Sequence, residues 1–156
     1  IGHQITLSRD YRGYPEIEGV ILELCDIVCR RVRLGGYVGR TVNLCLKDTE
    51  FLWIVRSSTM ASYTANAVDV CRTATELLHR HWPEWKPVRM VGVSLSGLLK
   101  NAAEQLDLFG VVEHSRKLND VCDRIRDRFG EKSILRAISL APAGVLRERA
   151  GRNENG

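Results

Sequence analysis

Much that would point to a particular chemistry is missing from this chain. No apolar run approaches the ~20 residues needed to cross a bilayer, and the first residues lack the basic segment and apolar core of a secretory leader. The five cysteines (Cys25, Cys29, Cys45, Cys71 and Cys122) are odd in number and form no CxxC, so neither a disulfide framework nor a zinc site is expected. Four of them have apolar neighbours and read as small core residues, with a reducing cytoplasm as the simplest compartment. No glycine-rich phosphate loop precedes a helix. Asp and Glu are scattered over helices and turns, with no pair at a strand end to hold Mg²⁺. His79 and His81 stand two apart on a helix and point to different faces, and His3 and His114 stand alone. "GVSLSG" (Gly92 to Gly97) brushes against the nucleophile elbow G-x-S-x-G, but Ser96 occupies the second glycine position and no Asp–His pair follows in the usual order. Read by itself, the chain is non-catalytic.

What is present suits one domain with an appendage. The chain has 156 residues, 44% of them hydrophobic, and a formal net charge of +4. Such a charge permits an anionic partner without requiring one. The sequence opens inside what reads as a strand and without Met, which predicts a piece of something longer.

Periodicity supplies the elements. Ile5 and Leu7 alternate with Gln4, Thr6 and Ser8, a half-buried strand. After Pro15, Ile17 to Leu34 carries Val20, Ile21, Leu24, Ile27, Val28 and Val32 at helical spacing, until Gly35 and Gly36 stop it. Thr41 to Lys47 alternates again, "KDTE" reads as a turn, and "FLWIVRSST" as the returning strand. A second helix is expected from about Thr64 to His81, with Val68, Cys71, Thr75 and Leu78 inward and Pro83 closing it. "PVRMVGVSLSG" is a fourth strand, and Ser115 to Phe129 a further helix with a stripe of Leu118, Val121, Cys122, Ile125 and Phe129. "SILRAISL" is one more short apolar piece, and from Ala141 the chain reads as a flexible tail.

The order β-α-β-β-α-β suits an α+β fold, a four-stranded antiparallel sheet with both helices on one face and a helical extension after it. The other face then carries Gln4, Thr6, Thr41, Asn43, Ser94 and Ser96. Plain solvent exposure explains such a face equally well.

Several pieces together resemble the C-terminal little-finger domain of Y-family translesion DNA polymerases of the bacterial UmuC/DinB (ImpB/MucB/SamB) type. They are the opening "IGHQITL", "GRT" entering the second strand, "RSST" ending the third and "VRMVGVSLS" as the fourth. The resemblance spans Ile1 to about Phe109, and "IRDRFGEKSILRAISL" looks like an extension that some bacterial members carry. It implies a domain over residues 1–103 that lays its open sheet face along primer–template DNA. The expected contacts are Gln4, Thr6, Arg40, Thr41, Arg56, Ser57, Arg89, Ser94 and Ser96. Relatives often carry another basic residue at Met90 or Ser94, a departure that weakens the expected grip. The palm that binds Mg²⁺ would lie upstream, so no cofactor is expected in this piece.

Within residues 104–110, Gln105, Leu106, Asp107, Leu108 and Phe109 match at every position the bacterial sliding-clamp-binding pentapeptide Q-L-[SD]-L-F. The alternative is a strand end folded back onto its own domain. Residues 111–140 would be a helical extension, whose stripe makes self-association plausible, and 141–156 a tail. The implied partners are primer–template DNA, the sliding clamp and the upstream polymerase core, with no membrane. The implied setting is DNA repair in the cytoplasm under the SOS response. The rival reading is a free-standing α+β interaction module that touches no DNA.

Overall fold

The computed structural model describes residues 1–100, 111–142, 144 and 145, with side chains omitted for 111–116. The elements run β1 (Gly2–Tyr11), α1 (Tyr14–Leu34), β2 (Tyr37–Lys47), β3 (Trp53–Thr64), α2 (Ala67–His81), β4 (Val88–Ser96), β5 (Leu99–Lys100) and α3 (Val111–Phe129). A 3-10 turn follows at Ala137–Leu140. The main sheet has the order β1-β4-β2-β3 with every pairing antiparallel, and β5 adds a two-residue ladder to the start of β2. No described helix is long and apolar enough to cross a membrane.

Period-2 alternation decides which side chains enter the core. Val42, Leu44 and Leu46 of β2 and Val91, Val93 and Leu95 of β4 are buried beneath α1 and α2. Their alternates point to the helix-free side. α1 begins one turn before the expected start, with Pro15 in its first turn, where a missing N–H costs nothing. It ends where Gly36 takes φ 70°.

Two elements depart from expectation. β3 continues through Thr64, so α2 starts only at Ala67, where the Asn66 side chain accepts from the Val68 N–H as N-cap. The buried stripe of α2 is accordingly Ala67, Val70, Ala74, Leu77 and Leu78, while Val68 is exposed. The cysteines divide: Cys25 and Cys29 are buried in the core, whereas Cys45, Cys71 and Cys122 are half-buried.

α1 is covered on a second side as well. Gly19, Glu23, Asp26, Arg30 and Arg33 recur at steps of four, three, four and three, one stripe along the helix. Each meets the C-terminal extension. Ile138 sits so close to Gly19 that a Cβ there would lie 3.3 Å from its Cγ1. The Glu23 carboxylate accepts the Val145 N–H at 2.9 Å, although the tail was expected to be flexible from Ala141; Val145 is buried in the core. Arg136 donates twice to Asp26, at 2.6 and 3.0 Å. Arg30 reaches Asp127 and Glu131 at 2.6 and 2.8 Å. Arg33 grips Asp123 with two parallel bonds, at 2.7 and 3.0 Å. α3 therefore docks through its charged side. Its apolar stripe is divided: Leu118, Val121 and Phe129 are 61, 51 and 68% exposed, while Cys122 and Ile125 are half-buried.

Candidate functional site

The helix-free face is organised in cross-strand rows, each set by the register. Gly2, Ser94, Asn43 and Ser57 form one row across β1, β4, β2 and β3. The next holds Gln4, Gly92, Cys45 and Val55; the one beyond, at the end nearer the β2–β3 turn, Thr6, Met90, Lys47 and Trp53. At the other end Ser96, Thr41 and Thr59 stand together.

Asn43 is the hub of this face. Its amide nitrogen donates to the hydroxyls of Ser94 and Ser96, both at 3.1 Å, and its carbonyl oxygen accepts from Ser57 at 2.7 Å. Thr41 and Thr59 share a hydrogen bond of 3.1 Å, and Ser96 donates to the Thr41 carbonyl. One amide thus holds hydroxyls from two flanking strands in fixed positions. Ser57 and Ser96 spend their single O–H groups on Asn43 and Thr41, so the oriented donors are the Ser94 hydroxyl and one of the Thr41–Thr59 pair. Such donors suit phosphate and sugar oxygens, which carry no sequence information.

Gly92 leaves the middle of the face hollow. A depression of about 390 Å³ is lined by Gly2, Gln4, Asn43, Cys45, Val55, Gly92 and Ser94 among others. A Cβ on Gly92 would come within 3.1 Å of the Gln4 Cβ and 3.4 Å of the Cys45 Cβ, so any side chain there would crowd the hollow. Partial burial raises the Cys45 thiol pKa, with Lys47 opposing, so the thiol stays protonated at neutral pH.

The nine expected contact residues separate into two groups. Gln4, Thr6, Thr41, Ser57, Ser94 and Ser96 share the helix-free face. The three arginines do not join them as a cluster. Arg56 pairs with the core residue Leu44 and so projects from the helix side of the edge strand, exposed, its Nη1 on the Val55 carbonyl. Arg89 has the parity of Val91, is exposed, and binds Asp10 at 3.2 Å. Arg40 lies where the β2–β3 ladder shifts register, its guanidinium 5.2 Å from the centre of the Tyr63 ring. The cation on the open face is Lys47, which the sequence reading passed over, as it did the hub role of Asn43. Lys47 continues the alternation of Thr41, Asn43 and Cys45, and that signal was available. The pentapeptide Gln105, Leu106, Asp107, Leu108 and Phe109 lies outside the described residues. Among the described residues no three His, Cys, Asp or Glu side chains converge to hold a metal ion.

Comparison with known proteins bears on what such a face serves. The model of the impB/mucB/samB family C-terminal domain matches residues 1–108. A DNA polymerase IV of Pelotomaculum thermopropionicum is 70% identical over 156 residues, all of this chain and 39% of the relative. One from Moorella thermoacetica is 60% identical over 146 residues, 94% of this chain and 36% of its own length. The chain thus spans well under half the length of these relatives. Among solved structures, a little finger domain of PolIV in complex with the beta-clamp processivity factor superposes with a TM-score of 0.51 at 21% identity, over 62% of this chain and 87% of that one. Dbh DNA polymerase in a post-insertion binary complex gives 0.53 at 17% identity, over 64% and 29%. At these identities the two structures speak for the fold.

Proposed function

The chain belongs to the impB/mucB/samB family C-terminal domain, and from that premise we propose that it is the DNA-gripping and clamp-tethering part of a longer translesion DNA polymerase. In this reading residues 1–103 grip primer–template DNA, 104–110 tether the sliding clamp, 111–140 form a docked helical extension and 141–156 a tail. Nucleotidyl transfer and its Mg²⁺ belong to the upstream core of the same protein, which acts in DNA repair in the cytoplasm and in the SOS response.

The observation that carries the reading is the Asn43 network. A helix-free face built of immobilised hydroxyls, with Lys47 on it and Arg40, Arg56 and Arg89 at its margins, suits a sequence-independent hold on the backbone. Gln4, Thr6, Thr41 and Ser94 would meet phosphates directly, and Ser57 and Ser96 by turning their O–H groups away from Asn43 and Thr41. Arg56 would reach the phosphates round the edge strand β3, and Arg89, at the start of the inner strand β4, past the end of the sheet by leaving Asp10. For the clamp, Leu108 and Phe109 of the Gln105-Leu106-Asp107-Leu108-Phe109 segment would each gain about 1.5–3 kcal/mol on entering an apolar pocket. The outward stripe of α3 would let two copies associate.

Binding of the 156-residue chain to labelled duplex DNA, followed by fluorescence anisotropy over a salt series, tests the reading. Affinity should fall by about 0.9 log unit per log unit of salt for each phosphate held. Asn43→Leu should weaken binding at low salt while the fold persists. Binding that ignores salt, or none at low salt, refutes the proposal.

A further inference from the structure

Exposed apolar side chains normally stand singly on a soluble surface. At the β2–β3 turn they are gathered: Phe51, Leu52, Trp53 and Val55 are 68, 62, 62 and 56% exposed. The turn that presents them is firmly built. One carboxylate oxygen of Asp48 accepts the N–H groups of Glu50 and Leu52, both at 2.9 Å, and the Asp48 N–H donates to the Leu52 carbonyl. Lys86 closes on the other carboxylate oxygen at 2.8 Å. Phe51 takes φ 66°, among the described residues the one non-glycine position in the left-handed region, which is strained for a side chain of this bulk. That conformation sets its ring 4.7 Å from the Lys47 ammonium, which also lies 5.9 Å from the Trp53 ring. Lys47 and Trp53 are direct cross-strand partners in the last row of the open face. The hydroxyl-lined surface therefore ends in two exposed rings with a cation between them.

We propose that this turn is a stacking platform for unpaired nucleotides, so that the domain holds single-stranded template beside the duplex. The inference rests on the reading of the open face as the DNA-binding surface. Every base has a π-face, so Phe51 and Trp53 can stack bases without regard to sequence, and Lys47 meets the negative phosphate between them. The occupant is a nucleic acid rather than a protein because the rings surround a cation and continue a face of hydrogen-bond donors. A purely apolar partner would leave the Lys47 ammonium buried without a counter-charge.

The test compares a blunt duplex with the same duplex carrying a single-stranded thymidine overhang, both labelled, with the 156-residue chain. The wild type should bind the overhang probe roughly tenfold more tightly than the blunt one, the low end of what one stacked base supplies. Phe51→Gly with Trp53→Thr should abolish the ratio between the two probes, whatever it does to blunt-duplex affinity. Phe51→Gly alone relieves the φ strain, so it folds, and it should lose part of the preference. An overhang preference that survives in the variants overturns the platform, as does a wild type that grips both probes equally. Failure to bind either probe instead refutes the underlying DNA reading, and the platform falls with it. Variants that keep the preference but no longer associate with the upstream polymerase core would assign the turn to protein contact.

Discussion

Asp123 decides whether α3 stays on the domain. Its carboxylate is 12% exposed and accepts two bonds from Arg33, 18% exposed, while the Arg30 Nε stands 3.6 Å away with that side chain 10% exposed. Arg126 Nη1 is 3.9 Å away. Asp123→Ala would leave three guanidinium groups with Asp127 and Glu131, which are 57 and 69% exposed, the Ala65 carbonyl, which Arg33 holds at 2.8 Å, and the Ile134 carbonyl, which Arg126 holds at 3.1 and 3.3 Å. Removing one partner of a buried ion pair costs about 3–5 kcal/mol, because the other charge stays desolvated. The remaining carboxylates offset part of this, and about 3 kcal/mol is the net loss we expect. Among the described side chains of α3, the large apolar groups Leu118, Val121 and Phe129 point to solvent and only Cys122 and Ile125 are half-buried, so the ion pairs carry much of the docking. The loss should therefore appear as local undocking rather than as a weaker core. At 1.4 kcal/mol per factor of ten, amide protection in α3 drops roughly 100-fold. Protection in β2 and β4 should hold. Hydrogen exchange read by mass spectrometry resolves the two regions. α3 protection within about threefold of wild type would refute an electrostatically docked helix.

Three other outcomes are expected. Gly39→Ala should destabilise the domain by about 1–3 kcal/mol in urea titrations, because the new Cβ would lie 2.6 Å from Cγ of the buried Leu95, an inflexible part of that side chain. Asp48 is enclosed by its own turn at the margin of the fold, and its carboxyl is held below the ordinary value of 3.8 by the Lys86 hydrogen bond first and by the backbone N–H groups of Leu52 and Glu50 next. A depressed carboxyl stabilises the fold fully above its unfolded pKa and ceases to do so as pH falls through the folded one. Thermal melts of the wild type should thus lose ground below about pH 3.8 in a way that Asp48→Asn does not. Replacing Leu108 and Phe109 by Ala should abolish sliding-clamp binding in surface plasmon resonance while the circular dichroism spectrum is unchanged, and retained affinity would reject Gln105–Phe109 as the tether.

Adjacent strand residues face opposite ways, and this explains which expected contacts came together. Arg56 and Ser57 cannot share a face, nor can Arg89 and Met90. Ser57 and Met90 lie on the open side, and Arg56 and Arg89 on the other. The stripe Gly19, Glu23, Asp26, Arg30, Arg33 was visible as spacing, but a charged helix face looks the same whether water or another helix covers it. α3 presents the converse case. Its apolar stripe says only that something could cover it, and the side that docks is the one carrying Asp123 and Arg126.

The sequence by itself determined the order of elements, the α+β class and which side chains of each strand share a face, since all three follow from local breakers and a period of two. It also determined that Asn43, Ser94 and Ser96 would be polar neighbours of apolar strand positions. Only the tertiary structure decided that β4 and β3 flank β2, so that Asn43 meets serines 14, 51 and 53 residues away in one network. The same holds for the outward turn of α3 and the cation between two rings at the sheet's end. The physical reason is common to them: each depends on register or docking between distant segments, and that choice is made by the summed burial of the whole core rather than by any neighbour along the chain.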